Sequence, residues 1–80
     1  SSSFAIYPNP ADQQVNIEFS NSLNIPGELS IYSLNGRKVL QEELETVDQA
    51  KINVDKLNSG VYILRINIKD RIFTKKLIIQ

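Results

Sequence analysis

The chain contains no cysteine, histidine, methionine or tryptophan, and only three glycines and three prolines. Without cysteine there is no disulfide, no thiol nucleophile and no thiolate metal site. Small secreted domains often rely on disulfides as staples, so the chain suits the cell interior or a bacterial envelope module that depends on packing alone. Without histidine, a serine triad, an imidazole general base and the usual zinc site are excluded. The glycines, at 27, 36 and 60, are too scattered for a phosphate-binding loop. No stretch approaches the roughly 18 apolar residues of a membrane helix, and no signal peptide opens the chain. Because a complete reading frame needs an initiator, the missing methionine reads the chain as a piece of a longer one. Ser1-Ser2-Ser3 is then the end of a linker or an expression remnant, and a single domain is expected over 4–80.

What is present favours strands. Eleven Ile, eight Leu and five Val stand against three Ala in 80 residues. β-branched side chains lose χ1 freedom in a helix but fit a pleated surface well. A chain this short buries only about two thirds of its unfolded surface, so its stability is modest. The formal net charge is zero, which argues against nucleic acid or an anionic membrane as the main partner. Locally the charge is uneven. From residue 61 onward Arg65, Lys69, Arg71, Lys75 and Lys76 face a single acid, Asp70, whereas residues 41–60 carry five acids and two bases. The plain reading is a solvated pattern on exposed sheet faces; the sharper one is a basic docking edge near Gln80.

Short apolar runs recur about every ten residues, separated by turn chemistry. Phe4 to Tyr7 is a first strand, stopped by Pro8-Asn9-Pro10, where two prolines remove N–H groups. Val15, Ile17 and Phe19 alternate with polar residues, the mark of a strand with one wet face. Ser22 to Gly27 holds the turn pair Pro26-Gly27. Leu29 and Ile31 face inward on the next strand. Asn35-Gly36 then predicts a type I′ hairpin, which needs φ > 0 at both residues. Arg37 to Leu44 returns, with Glu42 and Glu43 marking an exposed edge, and Gln49 to Val54 follows. Tyr62, Leu64, Ile66 and Ile68 form the clearest alternation and predict a central strand. Lys69-Asp70-Arg71 turns the chain, and Ile72 to Ile79 closes it. About seven strands with no room for a helix predict an all-β, immunoglobulin-like antiparallel sandwich.

Leu57-Asn58-Ser59-Gly60-Val61-Tyr62 adds a specific expectation. Sandwich domains often carry a tyrosine at the start of a late strand, whose hydroxyl bonds back to upstream backbone across the corner. Tyr62 fits that place, with Gly60 to bend the corner and Leu57 as an apolar plug. The remaining chemistry is thin. Glu42, Glu43 and Glu45 are clustered, but strand neighbours point to opposite faces and cannot share a ligand sphere without distortion. Tyr7, Tyr32 and Tyr62 offer a conceivable sugar platform, yet in a chain without Trp they read more simply as packing residues. No cofactor and no enzymatic activity are expected.

Four blocks occur in order: Tyr7-Pro8-Asn9-Pro10-Ala11, Leu34-Asn35-Gly36-Arg37-Lys38-Val39, Leu57 to Tyr62, and Lys75-Lys76-Leu77-Ile78. Together they resemble the type A C-terminal sorting domain of type IX secretion cargo, found in the Bacteroidota. The resemblance runs from about Ile6 to Gln80. It implies a seven-stranded sandwich appended to a secreted passenger, which crosses the periplasm and is addressed to the outer-membrane translocon and its shuttle and sortase components. It implies further that the passenger ends at the cell surface or in the medium, that the domain is cut off there in many members, and that it does not itself insert into the membrane. Gly60, Tyr62, Lys76 and Leu77 occupy motif positions, with Gly36 and Pro8-Asn9-Pro10 as further matches.

A recognition mode follows physically. One machine must accept many passengers, so the signal cannot lie in a passenger's own site. An edge strand with open N–H and C=O groups joins a partner sheet largely regardless of side chains. Lys75, Lys76, Leu77 and Ile78 are therefore expected at the recognition edge, with Gly60 and Tyr62 beside them. The alternative is an immunoglobulin- or fibronectin-like accessory module that binds carbohydrate or spaces catalytic domains.

Overall fold

The alternation of apolar and polar residues, repeated between turn signals, leaves the chain one economical arrangement: strands with one dry face, paired face to face. The computed structural model describes residues 4–23, 25–45 and 47–80, of which 20–23 and 47 are described by backbone alone. Residues 1–3, read from the sequence as a linker, lie outside the described residues. The strands are β1 (Phe4–Tyr7), β2 (Gln14–Leu23), β3 (Gly27–Ser33), β4 (Lys38–Leu44), β5 (Val47–Asn53), β6 (Gly60–Ile68) and β7 (Arg71–Ile79).

They form two antiparallel sheets, one ordered β1-β2-β5 and the other β4-β3-β6-β7. This is the expected immunoglobulin-like sandwich. In the constant-type arrangement the fourth strand lies with the first, second and fifth; here β4 pairs with β3, so the split is three and four. Between the sheets lie Val15 and Ile17 from β2, Leu29 and Ile31 from β3, Ile52 from β5, Leu64 and Ile66 from β6, and Leu77 from β7, with Val54 just beyond β5. Each such side chain contributes about 1.5–3 kcal/mol on burial. The expected central strand is central: β6 lies between β3 and β7, with Tyr62, Leu64, Ile66 and Ile68 buried. Its other face is half-covered at Ile63 and Arg65.

Two local expectations need correction. The β3–β4 connection is not a type I′ turn, because φ is positive at Gly36 (90°) but not at Asn35. The Gly36 N–H donates to the Ser33 carbonyl at 2.9 Å and the Ser33 N–H donates to the Arg37 carbonyl at 2.8 Å. That pattern is a three-residue loop, a type I turn followed by a left-handed glycine. Asn35 stays out of the left-handed region because its side-chain carbonyl is used locally, accepting from the Ser33 hydroxyl and the Arg37 N–H. The second correction is length. β2 runs on to Leu23, past the alternation that ends at Phe19, with a register shift between Glu18 and Leu23. The turn expected over Ser22 to Gly27 is therefore shorter, and Asn24 within it lies outside the described residues.

Candidate functional site

The pairing register brings the four sequence blocks to one end of the four-stranded sheet. Tyr62 on β6 sits opposite Ser33 on β3 and Leu77 on β7. Ser33 leads directly into the Leu34-Asn35-Gly36 loop, and Leu77 into the last residues of the chain. Blocks separated by most of the sequence thus form one pole of the molecule.

The corner is built as expected. The Tyr62 hydroxyl donates to the Asn58 carbonyl at 2.7 Å, while its ring is buried in the core. Leu57 is half-buried against that core, and its N–H donates to the Val54 carbonyl at 3.0 Å. Gly60 pairs with Ile79 and has φ 155°, a conformation L side chains rarely adopt. A Cβ there would meet only Tyr62 Cε1 at 4.0 Å, so conformation rather than space calls for glycine.

Pro8-Asn9-Pro10-Ala11 has a role that the sequence did not suggest. After β1 the chain leaves the three-stranded sheet and lies along the outer side of β7. The Asn9 amide nitrogen donates to the Lys76 carbonyl at 3.1 Å, and its side-chain oxygen accepts the Ile78 N–H at 3.0 Å. The Ala11 N–H donates to the Ile78 carbonyl and the Gln80 N–H to the Ala11 carbonyl, both at 2.7 Å. Ala11 also forms a parallel bridge with Ile79. An open edge was expected at Lys75 to Ile78 of β7. Its half nearest Gln80 is instead covered by the molecule's own chain, because one asparagine side chain can satisfy both a backbone donor and a backbone acceptor.

The candidate recognition residues therefore divide. Tyr62 and Leu77 are buried, Ile78 is half-buried, and Gly60, Lys75 and Lys76 are exposed. Lys76 lies opposite Ile63 on the outer face. Lys75 takes the inward parity of Phe73 and Leu77, and its ammonium lies 5.5 Å from the centre of the Phe4 ring. Phe4 in turn meets the edge of Phe73 at 6.1 Å. Across the sheet, Tyr32 has Arg65 at 5.3 Å and Lys38 at 5.9 Å from its ring. The pole thus carries cations among apolar groups. Leu34, Val39 and Val61 are exposed there, none singled out as a site residue from sequence. An apolar residue at a turn tip, where polar residues are usual, was the signal available for Leu34.

No group of three or more metal-ligating side chains occurs among the described residues. The model of one protein family, the secretion system C-terminal sorting domain, matches residues 5–80. Compared with curated proteins, the chain finds no match.

Proposed function

The chain belongs to the family of type IX secretion C-terminal sorting domains, and from that premise we propose that the motif pole is the surface its machinery reads. A sorting signal of this type works with the secretion machinery, is joined to an N-terminal passenger, and directs export to the cell surface or the medium. The finer reading has three parts. Residues 4–80 act as one signal unit, with 1–3 as linker. The passenger reaches the outer-membrane translocon, with its shuttle and sortase components, from the periplasm. The domain contributes recognition and no catalysis.

One observation carries this reading: the four sequence blocks that define the signal meet at one pole. Buried Tyr62 and Leu77 fix its shape, and Gly60, Lys75, Lys76 and Ile78 form its accessible part. Recognition by backbone pairing along the whole of β7 is set aside, because Asn9 and Ala11 already use its edge from Lys76 to Gln80. Side chains at the pole then carry more of the selectivity.

The test is a fusion of residues 4–80 to a reporter that folds in the periplasm, expressed in a host with the secretion system. The reporter should appear at the surface or in the medium. Retention in the periplasm with the domain folded and intact would sink the proposal.

A further inference from the structure

The two margins of the four-stranded sheet are treated differently by the chain. β7 is covered over its last residues by Asn9 and Ala11, whereas β4 at the other margin pairs only with β3 among the described residues. Beside β4 runs a cleft of about 320 Å³, lined by Val39 and Leu40 on one side and Asn53 to Leu57 on the other. Its floor is apolar, with Val54 fully buried and Leu57 half-buried. That volume is at the lower end of small-ligand clefts, roughly 300–1,000 Å³, so it admits one or two side chains and not a folded surface.

The ladder shows which backbone groups of β4 are open. Ile78 and Gln80 turn outward from β7, so Leu77 bonds to Tyr62 on β6. Antiparallel strands alternate bonded and non-bonded pairs. Carrying that alternation across Ile63–Tyr32 and Ile31–Leu40 turns Gln41 and Glu43 away from β3. The Ser33–Arg37 bond gives the same phase from the other end.

Charge then specifies the occupant. Glu43 lies directly opposite Glu28, and Glu42 opposite Leu29. Like charges facing across a pair of strands destabilise it; the Glu28 carboxylate already accepts the Gln41 side-chain N–H at 2.7 Å, and a cation brought to Glu43 offsets the rest. We propose that the free edge of β4 is a docking site for an extended, basic segment of a partner protein. The segment adds to the sheet through Gln41 and Glu43. It sets one apolar side chain into the Leu40–Leu57 cleft and places lysine or arginine on the opposite face, against Glu43 and its neighbour Glu28. Backbone pairing supplies affinity, and the cleft and carboxylates supply selectivity. The same carboxylates repel a second acidic edge, which keeps two copies of the chain apart. The position also suits a signal that must serve any passenger. Phe4 packs against Phe73 and Lys75 on the β7 side, at the opposite margin of the sheet from β4; this last point alone rests on the sorting reading.

The experiment uses the 80-residue chain and a capped octapeptide alternating lysine with valine and leucine. A control peptide carries glutamate in place of lysine. The basic peptide should bind and slow amide exchange at Gln41 and Glu43, and the acidic peptide should not. The change Glu43→Lys should weaken the basic peptide at least about tenfold and admit the acidic one. Gln41→Pro removes an outward N–H, a change an edge strand tolerates, and should abolish binding. It also removes the Gln41 side-chain bonds to Lys38 and Glu28, so Gln41→Ala, which removes those bonds alone, should match its Tm and keep binding. Failure of the basic peptide to bind the unaltered chain, equal binding of both peptides, protection on another strand, or dimerisation through β4 would each overturn the proposal. Peptide binding is read on the isolated chain, so its failure leaves the export experiment to stand or fall separately.

Discussion

The side-chain oxygen of Asn9 accepts the backbone N–H of Ile78 at 3.0 Å, across 69 positions of sequence. With the second bond from the same amide to the Lys76 carbonyl, one side chain ties the first connection of the fold to its last strand. Because the contact is exposed, each bond is worth the lower part of the usual 0.5–1.5 kcal/mol. Asn9→Ala should cost about 1 kcal/mol and lower Tm by roughly 4–8 °C for a chain of this size. It should also speed amide exchange at Ile78 far more than at Leu64. Unchanged exchange at Ile78 would show that Ala11 alone covers the edge.

The period-two pattern was enough to find the strands, because each has one wet and one dry face. Val15, Ile17 and Phe19, or Tyr62 through Ile68, could hardly have been arranged otherwise. The tyrosine corner was legible too, since Leu57, Gly60 and Tyr62 lie within a few residues of each other. The covering of β7 was not. It depends on a polar side chain meeting backbone from the far end of the chain, and no local pattern encodes such a pairing. Pro8-Asn9-Pro10 therefore read as a strand stop and a motif match, with no contact to β7 foreseen. The Asn35-Gly36 turn was located correctly but typed wrongly, because Asn35 is held by Ser33 and Arg37. The residues named from the sequence for recognition meet at one pole, but the sequence did not separate its buried members, Tyr62 and Leu77, from the exposed ones.

That separation predicts two classes of variant. Leu77 is fully buried, so Leu77→Ala should cost about 2–5 kcal/mol, a large part of the roughly 4–12 kcal/mol expected for a domain this size. Export would then fall because folding fails. Lys76→Ala, at an exposed site, should stay within about 0.5 kcal/mol of the parent. Lys75→Ala should lose up to about 1 kcal/mol with its Phe4 contact. On the proposed reading, the double lysine variant exports poorly while losing no more than about 1.5 kcal/mol, less than Leu77→Ala loses. Parallel loss of export and stability in all three variants would reduce the block to a structural role.

Tyr62→Phe isolates the corner bond. The ring stays in the core, and only the 2.7 Å bond to the Asn58 carbonyl is removed. The acceptor is part-buried, so the cost should be about 1 kcal/mol. Urea denaturation should show a lower midpoint at constant slope, since the exposed area on unfolding is unchanged. A change in slope would mean that the Leu57–Gly60 segment has come loose from the core as well.

Leu34 gives the sharpest test of the pole as a surface. It stands 69% exposed at the tip of the β3–β4 loop, beside Arg37 and Lys38 in sequence, and its removal uncovers nothing. A scattered exposed leucine needs no explanation. This one shares its pole with exposed Val61 and Val39, and apolar groups ringed by cations are what a partner surface needs at its centre. Leu34→Ser keeps the loop bonds among Ser33, Asn35, Gly36 and Arg37, none of which uses the Leu34 side chain, so stability should stay within about 0.5 kcal/mol. If the pole is read by the machinery, export of the fused reporter falls while thermal unfolding is unchanged. Full export by Leu34→Ser would confine recognition to the β7 side, around Lys75, Lys76 and Ile78.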